Sequence, residues 1–155
     1  MLKTAVFFTI LAFGAYAFPN GSPTTSCETM VPQHSADPQP LPDSPYTVTA
    51  TAIDADRFEV TIGSTVGAPF RGFLIQARSA FNNTAVGSFE AAENAKSIRC
   101  FSNVDSASTN LDGSDKSSVT VIWNAPESGE EVQFLATVVQ TSTIFWVRIP
   151  ATVAN

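Results

Sequence analysis

From Tyr46 onward the apolar residues of this chain fall on every second position, and that period of two governs what it can fold into. "YTVTATA" sets Tyr46, Val48, Ala50 and Ala52 against Thr47, Thr49 and Thr51, and "RFEVTIG" sets Phe58, Val60 and Ile62 against Arg57, Glu59 and Thr61. Successive side chains of a strand point to opposite faces of a sheet, so each run reads as a strand with one apolar face. The polar Asp54-Ala55-Asp56 between them has the length and chemistry of a hairpin turn. Further runs of this kind are "RGFLIQARS", "VGSFEAA", "SIRCF", "SSVTVIWNA", "EVQFLATVVQ" and "TIFWVRI". No 3.6-residue stripe competes with them. The expectation is an all-β fold, an immunoglobulin-like antiparallel β-sandwich of about eight strands over residues 46–150.

Two strands carry more apolar residues than one buried face needs. In "EVQFLATVV", Val132, Phe134, Ala136 and Val138 share a face while Leu135 and Val139 lie opposite, which predicts a central strand covered on both sides. In "PFRGFLIQAR", Phe73, Ile75 and Ala77 belong to the core by alternation. The other face offers Leu74, Gln76 and Arg78. Two readings of the strand stay open: an ordinary core strand with Arg71 and Arg78 at its water-facing ends, or a contact surface for a polar ligand. On the second reading Gln76 and Arg78 are candidate ligand contacts. Trp146 and Arg148 of the last run form a second candidate pair, an aromatic with a cation beyond it, where a cation–π contact is conceivable.

The N-terminus has a different character. Lys3 followed by the apolar "TAVFFTILAFGAYA", with Ala15-Tyr16-Ala17 at its end, reads as a secretory signal peptide over 1–17, too short to span a membrane. Residues 18–45 then hold seven of the ten prolines, the composition of an extended arm and not of a sheet strand. The only two cysteines, Cys27 in the arm and Cys100 far along the body, most simply pair in the oxidising compartment that a signal peptide implies. Such a bridge would staple the arm to the sandwich, leaving Trp123 and Trp146 as core aromatics without a flanking disulfide.

Charge and residue inventory exclude more than they suggest. Removing the signal peptide takes Lys3 with it and leaves seven Lys plus Arg against fourteen acids, a net charge of −7. That balance opposes nucleic-acid binding and charge-driven insertion into anionic membranes. The single histidine, His34, lies in the arm, away from any recognisable nucleophile pairing. Nitrogen and sulfur ligands are too few for a zinc or copper site. The acid pairs Asp54/Asp56, Asp112/Asp115 and Glu130/Glu131 all sit in turn-like sequence, and "NLDGSDK" matches a calcium loop only loosely. An enzyme is not expected, nor a cofactor. Of two N-glycosylation sequons, Asn20-Gly21-Ser22 precedes a proline and adjoins the cleavage site, whereas Asn82-Asn83-Thr84 falls between strands and is the better candidate, at Asn82.

Taken in order, "CETMVPQHSADPQP", "SPYTV", "FRGFLIQAR" followed by "VGSF", Cys100, "VIWNAPES", "VQFLATVVQ" and "IFWVRI" resemble a reeler domain over 18–155, and more closely the short secreted insect defence proteins made of a signal peptide and one such domain. The resemblance implies the Cys27–Cys100 disulfide. Two departures stand out: 53–57 lacks a glycine often found before the second strand, and Asn110 replaces a histidine after threonine. The implied role is a secreted innate-immunity, antimicrobial defence protein, a binding module for microbial surface polysaccharide or lipid or for an immune-cell surface. An extracellular adhesion or matrix module, or a carrier of a small apolar ligand between the sheets, is the alternative. Fold alone does not choose among these, and nothing in the pattern sets an oligomeric state.

Overall fold

The computed structural model describes residues 19–127 and 129–154, so the expected signal peptide and its cleavage site lie outside the described residues. Ten strands follow the arm: β1 (Tyr46–Ala52), β2 (Arg57–Ser64), β3 (Gly72–Ser79), β4 (Ser88–Phe89), β5 (Ala95–Cys100), β6 (Asn103–Asn110), β7 (Val119–Asn124), β8 (Val132–Thr141), β9 (Ile144–Pro150) and β10 (Thr152–Ala154). They build two five-stranded sheets, ordered β10-β1-β2-β7-β4 and β5-β6-β3-β8-β9. Every named pairing is antiparallel except that of β1 with β10.

The alternation read from the sequence places the core. Tyr46, Val48 and Ala50 of β1 and Val60 and Ile62 of β2 face inward, and the threonines of β1 face water. Phe73, Ile75 and Ala77 of β3, with Phe134, Ala136 and Val138 of β8, meet them from the second sheet. Aromatic rings fill the middle. Trp123 stands edge-on to Phe134 with centroids 5.0 Å apart, and Trp146 packs against Tyr46 at 5.4 Å. Burial of each such ring stabilises the fold by about 2–3 kcal/mol. Trp123 donates its indole N–H to the Val86 carbonyl at 2.9 Å, and the Tyr46 hydroxyl donates to the Pro69 carbonyl at 2.8 Å, so both rings are buried with their polar ends satisfied. Gly87 makes the first of these contacts possible. It adopts φ +68°, and a Cβ there would lie 2.4 Å from the Asn124 carbonyl oxygen and 2.5 Å from the Trp123 ring.

Eight of the ten strands coincide with runs expected from the sequence; β6 and β10 do not. The β6 segment, "NVDSASTN", is made of residues that usually mark turns. It is a strand because the sheet and the arm together bury Ser106, Ser108, Thr109 and Asn110 and supply partners for most of them.

The second sheet is packed on both faces. Leu74, Gln76 and Arg78 of β3, Thr109 of β6 and Leu135 and Thr137 of β8 are all buried, because the proline-rich arm lies across them. The arm contains two single-turn 3₁₀ segments, Thr24–Ser26 and Leu41–Asp43, and otherwise makes few backbone hydrogen bonds with strands, Gln39 N–H to the Phe145 carbonyl among them. Proline suits such a segment because it brings no N–H that burial would leave unpaired. Cys27 and Cys100 form the expected disulfide across 73 positions, at the end of β5. A small apolar cluster of Met30, Leu74, Ala85, Ala107 and Leu135 surrounds it.

Candidate functional site

An arm that joins no sheet leaves its carbonyl oxygens without ladder partners, and buried acceptors must find donors elsewhere. Four successive carbonyls, from Cys27 to Met30, receive theirs from side chains of the second sheet. Gln76 Nε2 and Arg78 Nη2 donate to the Cys27 oxygen at 3.1 and 2.6 Å. Arg78 Nη2 and Arg148 Nη2 donate to that of Glu28 at 2.9 and 2.7 Å. Arg148 Nε donates to that of Thr29 at 3.1 Å, and the Thr137 hydroxyl to that of Met30 at 2.8 Å. Arg78 is the centre of this clasp. It is 2% exposed, donates through Nε to Gln76 Oε1 and through Nη1 to the Asn83 carbonyl, and lies 4.8 Å above the Phe101 ring. Burial, followed by the nearby positive charge of Arg148, lowers its pKa to about 10, so it remains a cation at neutral pH.

Three of the four sequence-derived ligand candidates, Gln76, Arg78 and Arg148, are therefore brought together, and what they hold is the chain's own arm. Trp146 is not with them. Its ring is buried between the sheets while Arg148 faces the arm, although residues two apart on a strand share a face. The register of β9 against β8 shifts between Trp146 and Ile149, and Arg148 takes φ +57°, so a bulge turns its side chain to the opposite side. The cation–π contact pictured for Arg148 over Trp146 is replaced by Arg78 over Phe101.

Beside the clasp, between the arm and the ends of β3 and β8, lies a cleft of about 290 Å³. Pro19, Pro23 and Pro32 of the arm form one side, and Arg71, Asn110 and Gln140 lie on the other. Asn110 is a joint of its floor. Its Oδ1 accepts from the Phe73 N–H at 3.2 Å and its Nδ2 donates to the Asp112 carbonyl at 3.0 Å and that of Pro19 at 3.4 Å. His34 also lines the cleft, its ring edge-on to Phe145 at 5.7 Å. Burial lowers the pKa of His34, which favours the neutral imidazole. Nothing in the sequence signals this cleft, because its walls come from five separate stretches of chain.

Each acidic pair has at least one member engaged by the protein's own groups. Asp54 closes the β1–β2 hairpin, accepting from Arg57 Nε at 2.7 Å. Asp115 pairs with Arg71 at 2.7 Å, and Glu130 accepts from the Ser79 hydroxyl. In "NLDGSDK" the cation is the protein's own. The Lys116 ammonium, 4% exposed, donates to the Asp112 carbonyl and carboxylate at 3.0 and 3.1 Å and to the Ser114 carbonyl at 2.8 Å. Asp112 is held at a pKa of about 2, first by the Ser114 hydroxyl and backbone N–H, then by Lys116. Among the described residues no group of three His, Cys, Asp or Glu is placed to hold a metal ion, and no helix is long and apolar enough to cross a membrane. Asn82 stands exposed at the loop after β3.

The reeler domain family model matches residues 25–155. The chain is similar to "Putative defense protein 3" of Antheraea mylitta, 41% identical over 140 residues, covering 87% of this chain and 84% of that one. It is 32% identical to Defense protein l(2)34Fc of Drosophila melanogaster, covering 95% and 94%. It is also 38% identical to Ferric-chelate reductase 1 of Mus musculus, over 94% of this chain and 25% of the reductase. Among solved structures the Reelin-N domain of F-spondin is similar, with a TM-score of 0.59 at 18% identity over 77% of this chain and 91% of that one, a likeness of fold alone.

Proposed function

The chain belongs to the reeler domain family, and from that membership we propose that it is a secreted innate-immunity protein, a non-enzymatic binding module that contacts microbial surfaces. The observation that carries this reading is the extent of similarity. Proteins named for defence are matched over 84% and 94% of their length, whereas the reductase is matched over 25%, so its activity is that of a much larger protein. Asp54, Asp112, Asp115 and Glu130, with His34 and the buried cations Arg78 and Lys116, are engaged in turns, ion pairs, the cleft wall and the arm clasp, which supports binding in preference to catalysis.

The cleft beneath the arm is the contact surface. Proline and valine walls suit the C–H face of a sugar or an acyl chain, while Arg71, Gln140 and Thr141 at its edge suit hydroxyl or phosphate groups. The interior of the sandwich is less suited to a small apolar cargo, because the rings of Phe58, Trp123, Phe134, Tyr46 and Trp146 occupy it.

The test is retention of the purified protein on whole bacteria, peptidoglycan, lipopolysaccharide and β-glucan. Gln33 is exposed on the arm side of the cleft. Gln33→Trp should lower retention at least about tenfold, a loss of ~1.4 kcal/mol in binding, at unchanged melting temperature. Retention on none of these surfaces would sink the microbial reading. Retention untouched by Gln33→Trp would move the contact away from the cleft.

A further inference from the structure

The largest unexplained apolar exposure in the fold is Phe81, 94% exposed at the tip of the loop joining β3 to β4. A phenyl ring left wholly in water costs the protein the burial it would gain anywhere else. The next residue is Asn82, first of the sequon Asn82-Asn83-Thr84. The geometry points to an N-linked glycan on Asn82 Nδ2 whose first N-acetylglucosamine packs its C–H face on the Phe81 ring.

The loop is built to present that amide. Ser79 N–H donates to the Thr84 carbonyl at 2.9 Å and Asn83 N–H to the Ser79 carbonyl at 3.0 Å, closing a tight loop. Arg78, the centre of the arm clasp, donates to the Asn83 carbonyl and fixes the loop to the body. Asn82 Oδ1 accepts from the Thr84 N–H at 3.1 Å and the Thr84 hydroxyl at 2.7 Å. With the amide oxygen turned toward Thr84, Nδ2 is directed away from it. Asn83 adopts φ +57°, a conformation asparagine tolerates better than most residues. Asn82 and Asn83 are both exposed.

The second sequon is built differently. Gly21 is buried at φ +95°, where a Cβ would lie 2.7 Å from Thr109 Cγ2, and Ser22 N–H donates to the Thr109 hydroxyl at 2.9 Å. Pro23 follows directly and restricts the serine before it. That sequon belongs to the arm's seat on β6, and it stays unmodified.

The donor is a lipid diphosphate-linked oligosaccharide of the secretory pathway. Transfer forms a bond from Nδ2 to the sugar C1 and breaks the C1–O bond to the lipid diphosphate. The diphosphate leaves with the bonding electron pair, and the amide nitrogen gives up one proton. The inference rests on the secretory part of the function proposed above.

The full chain, expressed with its own N-terminus in cultured eukaryotic cells, tests it. Protein from the medium and from the cell lysate is weighed by mass spectrometry before and after peptide N-glycosidase, beside Asn82→Gln and Asn20→Gln. The wild type and Asn20→Gln should lose one glycan's mass, and Asn82→Gln should have none to lose. If Asn82→Gln fails to fold, the wild-type peptide carrying residue 82 decides, because the enzyme converts a glycosylated Asn to Asp. Removing the sugar should lower the melting temperature of the wild type by a few degrees and leave that of Phe81→Ala unchanged. Exported protein with an unmodified Asn82 overturns the glycan while sparing the secretory reading, and unmodified protein confined to the cytosol overturns both. An equal thermal effect of sugar removal in the wild type and Phe81→Ala overturns the stacking on Phe81.

Discussion

Among the described residues no carboxylate is hydrogen-bonded to Arg78; its guanidinium is surrounded by oxygens of Cys27, Glu28, Asn83 and Gln76. A planar fork with five donors can serve several carbonyls in one geometry, which an ammonium on a flexible stem cannot. Methionine would fill the same space and take the Arg78 donor from the Asn83 carbonyl and Gln76 Oε1, leaving the Cys27 and Glu28 carbonyls with Gln76 and Arg148 alone. Arg78→Met should therefore destabilise the fold by about 3 kcal/mol, read as a fall of roughly 10 °C in melting temperature for a domain of this size. Arg78→Lys should recover only part of the loss. A melting temperature within a degree or two of the wild type for Arg78→Met would refute the clasp. In the sequence, Arg78 is one arginine at the end of an apolar run. Alternation places it opposite Phe73 and Ile75, but nothing in a strand's own pattern says what covers its second face. That is decided by Cys27, some fifty positions earlier.

At the scale of elements, the legible parts were those that follow from local rules. β1, β2, β3 and β8 are where the period of two puts them, and Leu135 opposite Phe134 did mark a strand covered twice. β6 was hidden because its identity comes from tertiary burial of Ser106, Thr109 and Asn110, not from propensity. The bulge at Arg148 was hidden as well, since a single left-handed residue in "IFWVRI" breaks a period that the letters continue. The arm was legible as an arm, through its prolines, but not as the cover of a sheet. Its attachment has two components, the disulfide and the clasp. Closing a loop of 73 positions contributes about 4 kcal/mol in the chain-entropy picture. Cys27→Ser should lower the melting temperature and open the segment 31–45 to limited proteolysis, while Arg78 and Arg148 still hold 27–29 in part. Adding Arg148→Ala, which removes the donor to the Thr29 carbonyl, should extend the cleavable segment toward Thr29. A proteolytic pattern and melting temperature identical to the wild type in Cys27→Ser would show that the arm does not depend on its staple.

For the whole molecule, charge sets how a target could be held. With residues 1–17 removed the chain carries seven cations against fourteen acids, and the structure withdraws several of those cations from the surface. Arg78 and Lys116 are buried and Arg148 is turned onto the arm. What faces solvent is more acidic than the sequence count. Long-range attraction to an anionic bacterial envelope is then unfavourable, and any adhesion must come from short-range contacts such as those the cleft offers. Salt screens charge over about 10 Å at 0.1 M. Raising ionic strength from a low value to the physiological range should therefore leave retention on whole bacteria and on isolated wall polysaccharide unchanged, or strengthen it slightly as repulsion between like-charged surfaces is screened. The measurement is the bound fraction across a salt series at fixed pH, with Gln33→Trp alongside to separate cleft-dependent retention from background. A steep loss of binding as salt rises would mean that a local basic group governs adhesion, and contact carried by the apolar and hydrogen-bonding groups of the cleft would have to be given up.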